Sequence, residues 1–291
     1  MRSRPEPLPR LGWLRGLRAA AVASAIYAWV AASGGHALAA APDKADVAAL
    51  LDHFRRSVYA DPIYVEFDLR EMPRRGDEHL FHGRLWGARN DRGPVARFEL
   101  DAGKGALTHR ILVQGGPDGA LWVSDGAGGG SRDENALLMP LVPGVEMTPF
   151  DLQMPYLYWL DVDFSGEQRM RGRPSTTYVF TPPADFSSRN PGIRSVKAYL
   201  DTQYDALMQS EITGADGRVA KTLSLLELRK VGDRWIPRDL DVRNESTRDK
   251  TRLSVTAVAI GISVDPSTFD PSRLGAAAAP PPGDSITRVT Q

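Results

Sequence analysis

The chain has 291 residues, 42% of them hydrophobic, with 36 basic and 36 acidic side chains and no cysteine. That length suffices for one large domain or two modest ones. The missing thiols exclude disulfides, thiolate catalysis, cysteine-ligated zinc or iron–sulfur sites and a lipid-modified N-terminal cysteine, so the core must rest on packing alone.

Residues 1–41 read as a secretory signal. Arg2, Arg4, Arg10, Arg15 and Arg18 make a basic start, and "AAAVASAIYAWVAAS" (19–33) is an apolar stretch too short for a comfortable membrane span of about 20 residues. "ALA" (37–39), then Ala40, Ala41 and Pro42, offers cleavage near Ala39 to Ala41. No Arg-Arg pair precedes the apolar stretch, so twin-arginine export is not indicated. Removing the signal leaves 31 basic and 35 acidic side chains, a net of −4, which gives no electrostatic case for binding nucleic acid or an anionic membrane surface.

The remaining chain opens on a helix. In "DKADVAALLDHFRRSV" (43–58), Val47, Leu50, Leu51, Phe54 and Val58 share one face, Asp43 is placed to cap it, and "YADP" ends it. The period then changes to two. Ile63, Val65, Phe67 and Leu69 alternate with Tyr64, Glu66, Asp68 and Arg70, as in a half-buried strand. Further strands are expected near 79–89, 94–101, 106–114 and 120–124, separated by turn residues, which makes an antiparallel meander. A glycine-rich loop follows, with Ser131 and Glu134 spaced as a capping box for a short helix. Thr148 and Pro149 begin another, which Pro155 cuts short. Strands resume near 162–170, 173–181, 194–201, 204–213, 218–229, 234–245 and 250–262. The tail 275–291, "GAAAAPPPGDSITRVTQ", reads as low-complexity and disordered.

One stretch, "GDRWIPRDLDVRN" (232–244), could be taken for a reactive cluster of acids and bases. Period two argues otherwise: Leu240, Val242 and Asn244 face one way, and Asp239, Asp241 and Arg243 the other, so the charges alternate out of a sheet. Pro237 marks an edge or a bulge that re-aims the strand. His79 and His82, three apart on a strand, point to opposite faces and cannot share a metal. Asp161 and Asp163 share a face but lack a third ligand, and read as a solvated acidic edge. "GAGGGS" (126–131) lacks the lysine of a phosphate loop and any βαβ context. There is no G-x-S-x-G and no H-E-x-x-H, so no catalytic residue or metal site can be named, and no cofactor is expected.

Residues 195–274 resemble the outer-membrane lipoprotein-sorting protein family, which is similar to the lipoprotein carriers LolA and LolB. The resemblance rests on the turn Asp216–Arg218 with Lys221, on Gly232 with Arg234–Pro237, on Thr251 with Leu253, and on Phe269, Pro271 and Leu274. "FDLQMPYLYW" (150–159) and "GRPSTTYVFTPP" (172–183) look like the family's middle section. The resemblance covers roughly 43–274, is strongest from 145 onward, and implies for a domain over 42–274 a mainly β (α+β) fold: a curved antiparallel half-barrel of about eleven strands, covered by a few helices that enclose an apolar cavity. It implies a periplasmic, non-enzymatic carrier whose cargo is a lipid or an acylated lipoprotein, with an inner-membrane transporter and an outer-membrane acceptor as partners. An accessory or sensor domain of a lipid-exporting transporter is the alternative. The lid and cavity wall would be Phe150, Leu152, Met154, Tyr156, Leu157 and Trp159, with Leu137, Leu138 and Met139 before them and Val65, Phe67 and Leu69 on the sheet. The resemblance also calls for an arginine on an early strand that latches the lid, for which Arg70 and Arg84 are candidates.

Overall fold

The computed structural model describes residues 44–101, 108–124, 126, 128–201 and 206–289. The signal reading of 1–41 and the cap at Asp43 lie outside them. The first helix, α1 (Lys44–Ser57), buries Val47, Leu51 and Phe54 on the face expected from their spacing, and Tyr59, at φ 51°, turns the chain out of it.

Six strands follow in meander order: β1 (Ile63–Met72), β2 (His79–Asn90), β3 (Gly93–Asp101), β4 (His109–Gln114), β5 (Ala120–Ser124) and the two-residue β6 (Ser131–Arg132). A second meander comprises β7 (Asp161–Met170), β8 (Arg173–Thr181), β9 (Ile193–Asp201), β10 (Ala206–Gly214), β11 (Val219–Val231), β12 (Arg234–Asn244) and β13 (Lys250–Ile260). The two meanders join where β1 pairs with β13, giving one antiparallel sheet in the order β6-β5-β4-β3-β2-β1-β13-β12-β11-β10-β9-β8-β7. A short β14 (Thr287–Arg288) also pairs with β13. The sheet is an open, curved half-barrel whose edges are β6 and β7. Because the chain runs directly from β6 to β7, residues 133–160 must cross from one edge to the other, and that crossing forms the lid.

The inner face carries the apolar half of each alternation. Phe67 and Leu69 of β1, Ala96, Phe98 and Leu100 of β3, Ile111 and Val113 of β4, Leu223 of β11, Val242 of β12, and Leu253 and Val255 of β13 form one buried cluster. Gly83 lies opposite Phe67, and a Cβ there would come within 2.3 Å of the Phe67 ring, so glycine lets that ring lie flat on the sheet. The charges of β12 pair across strands and do not converge. Arg252 binds Asp241 through Nε at 2.7 Å and Nη2 at 2.9 Å, Ser254 Oγ donates to Asp239 at 2.6 Å, and Arg238 meets Glu227 at 2.6 Å. The register shifts on either side of Glu227, opposite the stretch Pro237–Asp239, so the irregularity expected at Pro237 is present.

Two expectations need correction, and one helix lies where none was expected. Ser131 lies in β6, and the turn Glu134–Leu138 is capped by Asp133, whose carboxylate accepts from the Asn135 and Ala136 amides. A helix α3 (Ala184–Arg189), unforeseen because Phe186 is its one large apolar residue, follows β8. The tail, expected to be disordered over 275–291, is a strap over 275–289 on the outer face of the sheet. Arg97, 2% exposed, donates to the carbonyls of Thr268 (3.4 Å), Arg273 (3.5 Å), Leu274 (3.3 Å) and Ala276. Arg110 donates to Gly275 O at 3.0 Å, and Glu99, ion-paired with Arg97 at 2.7 Å, accepts from the Ala278 amide at 2.8 Å. Apolar contacts of Leu274 with Val95 and Leu112, and of Ala278 with Tyr64 and Trp86, complete the seal. Composition concealed this order because the strap is fixed through its backbone, whose donors and acceptors do not show in side-chain chemistry.

Candidate functional site

The lid begins with the helix α2 (Pro149–Gln153), as Thr148 and Pro149 foretell. The amide and hydroxyl of Thr148 both donate to Asp151 at 2.8 Å, and Lys221 Nζ of β11 reaches the same carboxylate at 2.9 Å. Asp151 thus ties the lid to the sheet. Met154, at φ 48°, stops the helix, and a 3-10 turn (Pro155–Tyr158) follows. A left-handed residue followed by proline forces this reversal. It brings Phe150, Tyr156, Leu157 and Trp159 onto the inner side of the lid, where they are 0, 2, 2 and 7% exposed.

These residues pack with α1, β8, β9 and Phe186 of α3 into a second core cluster. Its rings are contiguous: Phe150 lies 5.9 Å from Tyr156, 6.4 Å from Trp159 and 6.0 Å from Phe186, Trp159 lies 5.0 Å from Phe186, and Tyr156 lies 5.7 Å from Phe180. Tilted contacts at these separations are the favourable aromatic geometry. Burial drives the Tyr156 hydroxyl above its ordinary pKa, partly offset by a hydrogen bond with Ser210, so it stays neutral.

The residues marked out in the sequence therefore divide. Phe150, Tyr156, Leu157 and Trp159 make the aromatic cluster, with Met154 and Leu138 packed against it. Phe67 and Leu69 belong to the sheet cluster, with Val65 and Leu152 against it. Leu137 touches both. Met139 is 61% exposed, because the chain leaves the Glu134–Leu138 turn in an extended conformation there. The space where lid, α1, β3 and β4 meet, lined by Tyr59, Ala96, Val113, Leu152 and Leu157, has a volume of about 20 Å³. That holds about one water, against the roughly 300–1,000 Å³ of a small-molecule site. Side chains fill this part of the interior.

Beside the aromatic cluster runs a much larger open groove, about 990 Å³, between the two edges of the half-barrel. Its lining includes Leu121, Leu137, Tyr158, Trp159 and Phe186, with Leu160, 98% exposed, at its rim. An ion pair of Glu134 with Arg189 at 2.5 Å spans from the lid to α3.

The two arginines expected as a latch are engaged elsewhere or open to solvent: Arg70 pairs with Glu78 at 3.5 Å, and Arg84 is exposed. The polar ties come from residues that sequence reasoning passed over. Arg55 of α1 donates to Leu157 O at 2.7 Å and lies over the Tyr158 ring at 5.3 Å. Arg89 of β2 donates at 2.9 Å to the carbonyls of Arg55 and Val58, where a cation suits the C-terminal end of α1. Gln153 Nε2 donates to Gln114 O at 2.7 Å. Basic residues in the last turn of α1 were the available signal for Arg55; Arg89 had none.

His79 pairs with Glu71 at 2.9 Å and His82 with Asp68 at 2.7 Å. Among the described residues no group of three or more His, Asp or Glu could hold a metal, and no helix is long and apolar enough to cross a membrane.

A family model described as "Uncharacterized protein" matches residues 150–276. No curated protein matches the chain. Among solved structures, the chain is similar to a domain assigned to outer membrane lipoprotein sorting from Vibrio parahaemolyticus, with TM-score 0.67 and 13% identity over 79% of this chain and 97% of that one. It is also similar to a DUF1329 family protein from Desulfovibrio piger, with TM-score 0.66 and 14% identity over 79% and 96%. A third likeness is to a LolA superfamily protein from Nitrosomonas europaea, with TM-score 0.59 and 13% identity over 76% and 96%. The chain has the LolA-like half-barrel fold, and at these identities the likeness is one of fold.

Proposed function

We propose that this protein is an exported periplasmic carrier that binds a lipid, or the acyl chains of a lipoprotein, without covalent chemistry. The observation that carries the reading is the aromatic cluster of Phe150, Tyr156, Leu157 and Trp159, mounted on two very short helical turns across the open side of a half-barrel. Helical pieces of five and four residues have little stability of their own, so the packing of that cluster is what holds the lid down. An acyl chain offers the same apolar contacts. Each buried methylene contributes about 0.8 kcal/mol, so one chain can replace the lid's contacts as the lid lifts. The groove beside Trp159 and Phe186 supplies an entry, and Val65, Phe67, Leu69, Leu137, Leu138, Leu152 and Met154 are the walls a seated chain would meet. An inner-membrane transporter as donor and an outer-membrane acceptor complete this reading.

A second reading has one observation in its favour. The cavity of about 20 Å³ under the lid suits an accessory or sensor domain of a lipid-exporting transporter, filled by its own side chains. Native mass spectrometry of the chain purified from its own periplasm, with organic extraction, separates the two. A stoichiometric lipid or acylated peptide is expected. A clean apo mass, with no uptake when lipid is offered, favours the accessory domain.

A further inference from the structure

The sheet has a gap on the side away from its two edges. The pairing of β12 with β13 runs through Asp239–Arg243 and Lys250–Ser254. Beyond it, toward Arg234, β12 stays with β11 and leaves β13. The register of β1 with β13 shifts at the same level, where Thr256 has no partner between Val255, opposite Phe67, and Ala257, opposite Glu66. The side of β13 thus abandoned is taken by the C-terminal strand: Thr287 pairs with Val258, Arg288 with Ala257, and the Val289 amide donates to Thr256 O at 2.9 Å. Val289 passes through the gap. It is 8% exposed and belongs to the cluster of the inner face, with Val255, Val258, Ile236 and Phe67.

The strap is not held evenly along its length. Residues 268–278 are clamped by Arg97, Glu99 and Arg110 as described above. Past Ala279, whose carbonyl accepts from Trp86 Nε1 at 3.2 Å, come Pro280, Pro281, Pro282 and Gly283. Three prolines favour a stiff extended piece, and the glycine after them opens a single 3-10 turn, Gly283–Ser285, closed by the Ser285 amide on Pro282 O at 3.0 Å and the Ile286 amide on Gly283 O at 3.2 Å, which we take as the pivot. This piece borders a cavity of about 370 Å³, also lined by Trp86, Ile262 and Val264. Beyond the pivot the anchors are the two ladder residues, the Val289 amide, Ile286 against the outer apolar cluster, and a pair of Arg288 with Glu66 at 2.6 Å in which Arg288 is 71% exposed. An exposed pair of this kind contributes little.

We propose that the gap between β12 and β13 is a second entrance to the interior, on the sheet side, and that Val289 at the end of the strap is its removable stopper. The clamped part stays in place while the end swings about Gly283. This entrance would admit an extended apolar chain lengthwise between Ile236 and Val258, away from the lid. The inference rests on the carrier reading for what passes through.

The test compares the full chain with one ending at Gly283 and with Val289→Asp, using uptake of N-phenyl-1-naphthylamine by stopped-flow fluorescence. Thermal melts and near-UV circular dichroism first establish that each variant is folded. The account expects both variants to take up the probe roughly tenfold faster than the full chain, the change that follows when the competent fraction of the population rises by that factor. If the full chain and both folded variants take up the probe at the same rate, the entrance is overturned and the carrier reading stands. If none takes up the probe, the carrier reading fails and the entrance fails with it. Should truncation unfold the chain, Val289→Asp alone decides.

Discussion

The half-barrel is covered on two sides by different chemistry. The lid holds by ring packing over Phe150, Tyr156 and Trp159, with scattered polar ties from Lys221, Arg55 and Gln153. The strap holds by two guanidiniums and one carboxylate that engage successive backbone groups from Thr268 to Ala278. An apolar ligand can reproduce contacts of the first kind. It cannot accept a hydrogen bond from Arg97. On the carrier reading proposed above, the lid is the cover that would yield to cargo, and the clamped part of the strap would stay.

The comparison can be broken most sharply at Glu99. Glu99→Ala leaves Arg97 and Arg110 without their carboxylate in a buried place, and is expected to cost about 3–5 kcal/mol. Urea unfolding reads this, and a loss below about 1 kcal/mol would mean the strap is not held by charge. Phe150→Ala and Phe98→Ala, at residues 0 and 2% exposed, form the next test. At Phe98, locked in the sheet, the expected loss is about 3–5 kcal/mol; at Phe150 it should fall below that range, because the lid can open locally. Equal losses would make the lid part of the rigid core. Lys221→Met leaves Asp151 with its Thr148 bonds alone, and should cost about 1–3 kcal/mol while speeding amide exchange across 147–160.

The smallest effect is a pH dependence at Glu146, on the approach to the lid. Its amide donates to Thr251 Oγ1, and its carboxylate accepts from Asn244. Burial raises its pKa above the ordinary value of 4.5, with the Asn244 bond opposing. The unfolded chain then releases this proton at lower pH than the folded chain. Stability from Glu146 is accordingly full below the ordinary carboxylate pKa and declines as pH rises through the raised one. Glu146→Gln should flatten that decline in melts taken across mildly acid pH, and an unchanged slope would remove Glu146 as its source.

Much of the fold was legible because a half-buried antiparallel strand writes its burial directly into alternation. Period two alone set Phe67 and Leu69 on one face of their strand and Asp239 and Asp241 on the charged face of theirs, but not which face of β1 lies inside, since Tyr64 on the other face is buried too. The lid was legible through Thr148–Pro149, Pro155 and the density of rings between 150 and 159. The strap was not, since Ala and Pro carry no sign of the backbone groups that Arg97 and Glu99 bind from about 170–180 residues away. The latch was misassigned for a related reason. Arg70, Arg84 and Arg89 look alike in sequence, and only the packing of α1 over the end of β2 shows that Arg89 holds the end of that helix while Arg55, on the helix, ties the lid. The division of the marked residues into two clusters also lay beyond the sequence, because it depends on how far the lid sinks into the barrel.

The most direct test of the movable lid is amide hydrogen exchange, read by mass spectrometry on the free chain and on the chain loaded with N-phenyl-1-naphthylamine. The account expects residues 147–160 to exchange well ahead of 95–100 and 272–278 in the free chain, and to change rate on loading while the other two segments do not. A lid that exchanges as slowly as the clamp, and that loading leaves untouched, would contradict it.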